Sequence, residues 1–193
     1  MDALNRVVIG VKAPAEVGRK VEEVQLLYKR RLMGEQMRWT VSSELVLTLV
    51  TLGELRVDQI ARAGALLEPV LQGVPKMTFR VDGLTGTPNV LQPRFLEAIL
   101  KGPVEELSAF QKRLMGAMVP VIGVQETKPW LPTFTIGRLS KEAEQSRLNL
   151  GRVLKTVPAG DMGEFPINEI CLLQYASSGA GVTVSPIRSF PLA

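Results

Sequence analysis

The chain has 193 residues, of which 46% are hydrophobic and 22% are charged, and its formal net charge is +4. This size suits one domain or two small lobes packed together, and no run approaches the roughly 18 apolar residues that a membrane helix needs. A single cysteine and no histidine exclude an intramolecular disulfide and the usual zinc sites. We therefore expect a cytoplasmic protein that does not enter membranes and carries no metal or other cofactor.

Hydrophobic spacing predicts strands and helices that alternate along the chain. In the first half we expect a strand at 6–14, a helix at about 15–33, an extended segment at 37–41, a strand at 45–52, a helix from about 57 to 71 and a strand at 77–86. In the second half we expect a strand at 94–100, a helix across 104–118, a strand at 133–138, a helix at 140–157 and closing strands at 164–176 and 183–192. This mixture, which no Gly/Ser linker divides, predicts an α+β or α/β fold.

Several other residues in the sequence are expected to have structural roles. Trp39 and Trp130 each precede a predicted strand and are expected in the core. Cys171 lies in the apolar stretch EICLLQY and is expected to be a small buried side chain. Gly83 and Gly86 are expected to form the turn at which the strand at 77–86 ends, and Ser140 is the expected N-cap of the helix at 140–157.

One pattern occurs in two distant strands. Residues 44–53 read ELVLTLVTLG, and residues 132–138 read PTFTIGR. In the first stretch Thr48 follows two places after Val46, and in the second Thr135 follows two places after Thr133. Side chains two apart on a strand point to the same face, so each pair is expected to share one face. The repetition predicts two related halves that face each other across a cleft.

These stretches resemble the two-histidine (2H) phosphoesterase superfamily, and within it the LigT-like RNA 2′,3′-cyclic phosphodiesterases, also known as 2′-5′ RNA ligases. RVVIGVKAP near the start, FRVDGLTG and PRFLEAIL in mid-chain, and FPINEICLLQY near the end extend the resemblance in order. The resemblance implies a bilobal α+β fold in one domain spanning 1–193. Two antiparallel sheets with flanking helices would enclose a central cleft with pseudo-twofold symmetry.

The family carries H-x-[S/T] on each motif strand, and this chain lacks both histidines. Val46 and Thr133 stand at the histidine positions, whereas Thr48, Thr135 and Arg138 match their counterparts. The family reaction uses one histidine as general base and the other as general acid, since the imidazole pKa is about 6.5. Valine transfers no proton, and a threonine hydroxyl is no useful base. Each lost group is worth roughly 10² to 10⁴ in rate, so the resemblance implies a pseudoenzyme.

Binding does not need proton transfer. The resemblance implies that Thr48, Thr135 and Arg138 bind phosphate, and we expect Arg6 and Lys128 to contribute at the rim of the cleft. The mildly basic charge is compatible with RNA ends, nucleotides or another phosphorylated small molecule, while a protein partner stays unidentified.

Two alternatives remain open. The first is an active phosphodiesterase that uses other residues, with Glu44 or Glu97 as the candidates. The second is a non-catalytic protein-interaction module whose cleft is filled by Val46 and its neighbours.

Overall fold

The computed structural model describes residues 5–124, 129–178 and 181–193. Within these ranges the helices are α1 (Ala15–Arg31), α2 (Val57–Leu71), α3 (Val104–Ile122) and α4 (Glu144–Thr156), with a short 3₁₀ helix at Ser42–Glu44. The strands are β1 (Asn5–Lys12), β2 (Met37–Trp39), β3 (Val46–Leu55), β4 (Met77–Thr87), β5 (Phe95–Lys101), β6 (Thr133–Leu139), β7 (Asp161–Ile167), β8 (Glu169–Ser178) and β9 (Gly181–Pro191).

The strands form two sheets. The first sheet has the order β3-β1-β8-β9, and the second has the order β2-β6-β5-β4-β7. Every strand pair in both sheets is antiparallel. The expected α+β fold, with two antiparallel sheets and flanking helices, is therefore confirmed.

Alternation along the strands gives each sheet one face toward the main core. On β5 the side chains of Leu96, Ala98 and Leu100 are buried, whereas their alternate neighbours are only partly buried. In the first sheet the alternating side chains on the opposite face are also apolar, and they form a second, smaller cluster. That cluster consists of Val8, Val46, Cys171, Leu173 and Val184. The first predicted motif strand therefore contributes to both clusters.

The two sheets meet along β3 and β6, which belong to different sheets. The Trp130 indole, just before β6, donates from Nε1 to the Thr48 carbonyl on β3 at 3.1 Å. From α1, the Gln25 amide donates to the carbonyls of Thr40 at 2.7 Å and Ile136 at 2.8 Å. The Ile136 carbonyl also accepts from the Thr40 N–H at 3.1 Å. These hydrogen bonds fix α1 and the end of β2 against the middle of β6.

Three sequence-based expectations were wrong, and two of them concern element boundaries. The stretch 164–176 is two strands in different sheets, since β7 ends at Ile167 and β8 begins at Glu169. The chain changes sheets at Asn168, whose carbonyl accepts from the Leu192 N–H at 2.8 Å. A continuous apolar pattern cannot show such a crossing because both strands are buried in the same way.

The second wrong boundary is the start of α4. The helix begins at Glu144, so Ser140 is not its N-cap. Instead the Ser140 hydroxyl donates to the Glu142 carboxylate at 2.7 Å and accepts from the Glu142 N–H at 3.2 Å. Serine readily forms such local turns with the backbone two residues on, and the sequence does not distinguish them from a helix cap.

The glycines of DGLTG lie inside β4 rather than in a turn that ends it. Gly83 has a φ of +88°, and the register with β5 shifts between Val81 and Leu84. A bulge of this kind uses glycine because other residues rarely adopt a positive φ. The strand therefore bends at Gly83 and continues to Thr87.

The buried Gln25 amide gives a test of the junction between α1 and β6. Its side chain is 2% exposed. Gln25→Ala is expected to lower the free energy of unfolding by about 1–3 kcal/mol, because the Thr40 carbonyl loses its donor. Equilibrium urea unfolding measures this change, and Gln36→Ala, at an exposed position, is the matched control. Equal effects of the two substitutions would contradict the assigned role.

Tyrosine ionisation provides a second test. Burial raises the pKa of Tyr28 to about 12, and the Tyr28 hydroxyl donates to the Val157 carbonyl at 3.1 Å. An unfolded tyrosine ionises near pH 10, so the unfolded state loses its proton first as the pH rises. The contribution of Tyr28 to folding stability is therefore constant below pH 10 and is lost as the pH rises toward about 12. Ultraviolet phenolate absorbance in native and urea-unfolded protein checks this, and native titration of Tyr28 near pH 10 would refute it.

Candidate ligand-binding cleft

The first motif strand presents an apolar side chain at Val46, the position where the sequence pattern predicts a lost histidine. Val46 is 9% exposed and packs in the cluster with Val8, Cys171, Leu173 and Val184. Its Cγ1 atom would lie 2.9 Å from a Cβ atom built on Gly10, so Val46 sits directly over that glycine. The Val46 side chain itself can neither accept nor donate a proton.

Thr48 follows on the same face and lies near Tyr175, whose pKa it lowers. The Arg6 guanidinium lies 5.6 Å from the centre of the Tyr175 ring. Burial raises the pKa of Tyr175, while Thr48 and Arg6 lower it by a smaller amount and the Glu44 charge raises it. Arg6, Glu44, Thr48 and Tyr175 therefore belong to one neighbourhood. Lys128, the other expected rim residue, lies outside the described residues.

The second motif strand is polar, and its two threonines converge on a carboxylate. Glu97 lies opposite Thr135 in the β5–β6 pairing. The hydroxyls of Thr133 and Thr135 donate to the same oxygen, Oε1 of Glu97, at 3.2 Å and 3.4 Å. Among the described residues, Oε2 of Glu97 has no hydrogen-bond partner. The sequence suggested Glu97 only as an alternative base, and its contact with both threonines depends on a register that the sequence does not show.

A bulge in β6 controls the direction of Arg138. Glu97 faces Thr135 and Leu96 faces Gly137, so Ile136 is one extra residue on β6. The register after this bulge places Arg138 opposite Phe95, on the face of Glu97 and Thr135. We call this surface the second motif face.

Arg38 lies directly opposite Arg138 in the β2–β6 pairing, and both residues are exposed. We call Arg38 and Arg138 the arginine pair. Neither guanidinium forms an ion pair with a carboxylate in the part of the chain that the structure describes. Like charges directly opposite each other on an antiparallel pair are unfavourable, and an anion beside the two guanidinium groups would relieve that repulsion. The sequence pointed to Arg138 but gave no sign of Arg38.

The two tryptophans and the cysteine that the sequence singled out are packed within the fold. Trp39 and Trp130 are partly buried and pack against the main core, as expected. The Lys29 ammonium lies 5.4 Å from the centre of the Trp39 ring. Cys171 is buried, and burial raises the pKa of its thiol.

No three Cys, Asp or Glu side chains converge to hold a metal ion within the described residues. Among the described helices, none has the length and apolar character to cross a membrane.

A cavity of about 790 Å³ adjoins the motif strands but does not coincide with the polar cluster. It lies between β3 and α3, where Leu49, Gln111, Met115 and Trp130 contribute to its lining. The Gln111 amide donates to the Leu49 carbonyl at 3.1 Å, which satisfies part of the outer edge of β3. Thr48 borders this cavity, whereas Glu97, Thr135 and the arginine pair do not. The chemistry of the second motif face is therefore separate from it.

Comparisons with solved structures extend over nearly the whole chain. E. coli LigT complexed with 3′-AMP is similar with a TM-score of 0.75 and 19% identity, over 98% of this chain and 99% of LigT. The protein TT0787 of Thermus thermophilus is similar with a TM-score of 0.75 and 21% identity, over 97% of each chain. A structure described as a phosphoesterase gives a TM-score of 0.76 and 17% identity, over 98% of this chain and 99% of its own.

E. coli LigT has also been crystallised with phosphate, with ATP and with NADP+. No protein-family model matches this chain, and no curated protein matches it. The structural similarity nevertheless covers both sheets and the order of the elements from end to end. The chain therefore has the LigT fold.

Proposed function

We propose that this protein is a LigT-like 2H phosphoesterase homologue, one domain spanning 1–193, that has lost catalysis and binds a phosphorylated ligand in its cleft. The observation that carries the proposal is the state of the two histidine positions. Val46 is enclosed in an apolar cluster, and the Thr133 hydroxyl is bonded to Glu97. Neither position supplies the proton transfer that opening a cyclic phosphate requires.

The size of the expected rate loss favours an inactive protein over an active enzyme that uses other residues. Removing a general acid and a general base costs roughly 10⁴ or more in rate, even when their effects are not additive. Glu97 could supply at most one of the two roles, because it lies only on the second motif face. The opposite role would fall to the first motif strand, where Val46 is apolar and burial raises the pKa of the neighbouring Tyr175. An active enzyme that uses Glu97 therefore lacks a second partner.

Binding is supported by different residues. The arginine pair offers two guanidinium groups without carboxylate partners among the described residues, and guanidinium groups bind phosphate oxygens in a bidentate manner. E. coli LigT, whose fold this chain shares, holds 3′-AMP, phosphate, ATP and NADP+. These ligands all carry phosphate. We infer a ligand of the same chemistry for this chain, such as a nucleotide or an RNA end.

A protein-interaction module is the second candidate, and one observation favours it. The apolar cluster around Val46 fills the face of the first sheet that would otherwise offer polar contacts to a phosphate. In that case the arginine pair would have no role in phosphate binding. Binding experiments separate the two candidates.

Catalysis is tested by restoring the histidines. Wild-type protein is expected to hydrolyse nucleoside 2′,3′-cyclic phosphates no faster than the Arg138→Ala variant, which lacks the proposed phosphate contact. Val46→His combined with Thr133→His is expected to raise the rate by roughly 10² or more, and each single variant by much less. Product formation is followed by chromatography on variants whose circular dichroism matches wild type. Wild-type turnover that Arg138→Ala abolishes would refute the pseudoenzyme proposal.

Ligand binding is tested at the arginine pair. Arg138→Ala is expected to weaken the binding of a short 3′-phosphorylated RNA by about 1–3 kcal/mol, the range for hydrogen bonds to a charged group. Arg62→Ala, at an exposed position on α2, is the matched control and should leave affinity unchanged. Because few phosphates are contacted, the logarithm of affinity should fall with that of salt at a slope of about −1 to −3. Equal binding by wild type and Arg138→Ala, or no binding, would favour the interaction module.

A further inference from the structure

We propose that Glu97 makes the second motif face a subsite for a ribose with free 2′ and 3′ hydroxyls, so that the cleft selects nucleoside 5′-phosphates over cyclic phosphates. The phosphate lies on the arginine pair, and the ribose diol donates to the Glu97 carboxylate. This inference rests on the proposed function, because it assumes that the cleft holds a phosphorylated ligand. It names the class of that ligand.

The first argument is the direction of the hydrogen bonds. Thr133 and Thr135 both donate to Oε1 of Glu97, so neither hydroxyl proton points toward a ligand. Oε2 of Glu97 is left as an acceptor without a partner among the described residues. A carboxylate accepts hydrogen bonds and does not donate them. This part of the cleft therefore fits a ligand group that donates, such as a hydroxyl.

The second argument is electrostatic. A phosphate within hydrogen-bond distance of Thr135 would lie beside the Glu97 carboxylate, since the two side chains are bonded to each other. Two anions at that distance repel, and repulsion is strong in a partly buried site. A neutral diol suffers no such repulsion. The position that holds a phosphate by analogy with the family thus favours a sugar in this chain.

The third argument is spacing. Glu97 and Phe95 are two residues apart on β5, which separates them by about 7 Å. Arg138 on β6 lies opposite Phe95, and Arg38 on β2 lies opposite Arg138. The two guanidinium groups therefore lie on the same face as the carboxylate, two residues along from it and one and two strands across the sheet. In a nucleoside 5′-phosphate the ribose separates the phosphate from the diol by a similar span. Carboxylates bind ribose hydroxyls in the same way in dinucleotide-binding folds.

The experiment compares two ligands of equal charge. Calorimetric titration of the full chain with 5′-AMP and with its 2′,3′-dideoxy analogue isolates the diol, because both ligands carry the same phosphate and base. Wild type is expected to bind 5′-AMP roughly tenfold tighter or more, consistent with hydrogen bonds to a charged acceptor. Glu97→Ala is expected to bind both ligands equally. Glu22→Ala, at an exposed position on α1, should keep the preference.

A second variant guards against a folding defect. Glu97→Gln keeps the shape of the side chain and a carbonyl acceptor for the threonines but removes the negative charge. It is expected to bind 2′,3′-cyclic AMP at least roughly fivefold more tightly than wild type, because the repulsion is gone. Unchanged affinity of a folded Glu97→Gln protein for the cyclic nucleotide would overturn the inference.

The outcomes also separate this inference from the proposed function. If wild type binds both 5′-phosphates equally and Arg138→Ala weakens both, phosphate binding stands and the diol subsite is overturned. A preference for 5′-AMP that persists in Glu97→Ala overturns it as well. If wild type binds neither ligand at millimolar concentration, the diol subsite is overturned, and the titration with 3′-phosphorylated RNA then decides the proposed function.

Discussion

The candidate cleft depends on how β6 is held at Ile136. In a regular strand Arg138 would share a face with Phe134, which is fully buried, and an unpaired guanidinium in the core is strongly unfavourable. The extra residue Ile136 reverses the alternation, so that Arg138 joins Thr135 and Glu97. The Ile136 carbonyl is bonded to Gln25 and to the Thr40 N–H, which stabilises the strand at this point. A buried amide on α1 thus supports the bulge that places Arg138 on this face.

The two halves of the cleft share a strand pattern but differ in chemistry. Lys12 and Gly10 lie opposite Val46 and Thr48 on the first motif strand, whereas Ile99 and Glu97 lie opposite Thr133 and Thr135 on the second. The glycine admits Val46 to an apolar cluster, while the glutamate occupies both threonine hydroxyls. The surface beside Val46 is therefore apolar, whereas the surface beside Thr133 and Thr135 carries a carboxylate. Such an asymmetric cleft suits a ligand with chemically distinct ends.

Much of this structure follows from local sequence patterns, and the remainder depends on pairing between distant segments. The motif strands and the helices follow from hydrophobic spacing because each is a local property. Spacing leaves α+β and α/β open, and the family resemblance is what selects α+β. The contact between Glu97 and Thr133 does not, because it depends on which residues of β5 and β6 face each other. Arg38 was missed for the same reason. Bulges change register by one residue, and one residue exchanges the two faces of a strand.

The link between Trp130 and Thr48 has a spectroscopic consequence. The chain contains two tryptophans, and the Trp130 indole bridges from the segment before β6 to the backbone of β3. Its N–H therefore reports on the boundary between the two sheets, whereas Trp39 lies under the Lys29 ammonium on the other side of β6. A ligand that moves one sheet relative to the other changes the polarity around one indole and leaves the other as an internal reference. Trp130 is therefore an intrinsic fluorophore at the boundary between the two sheets.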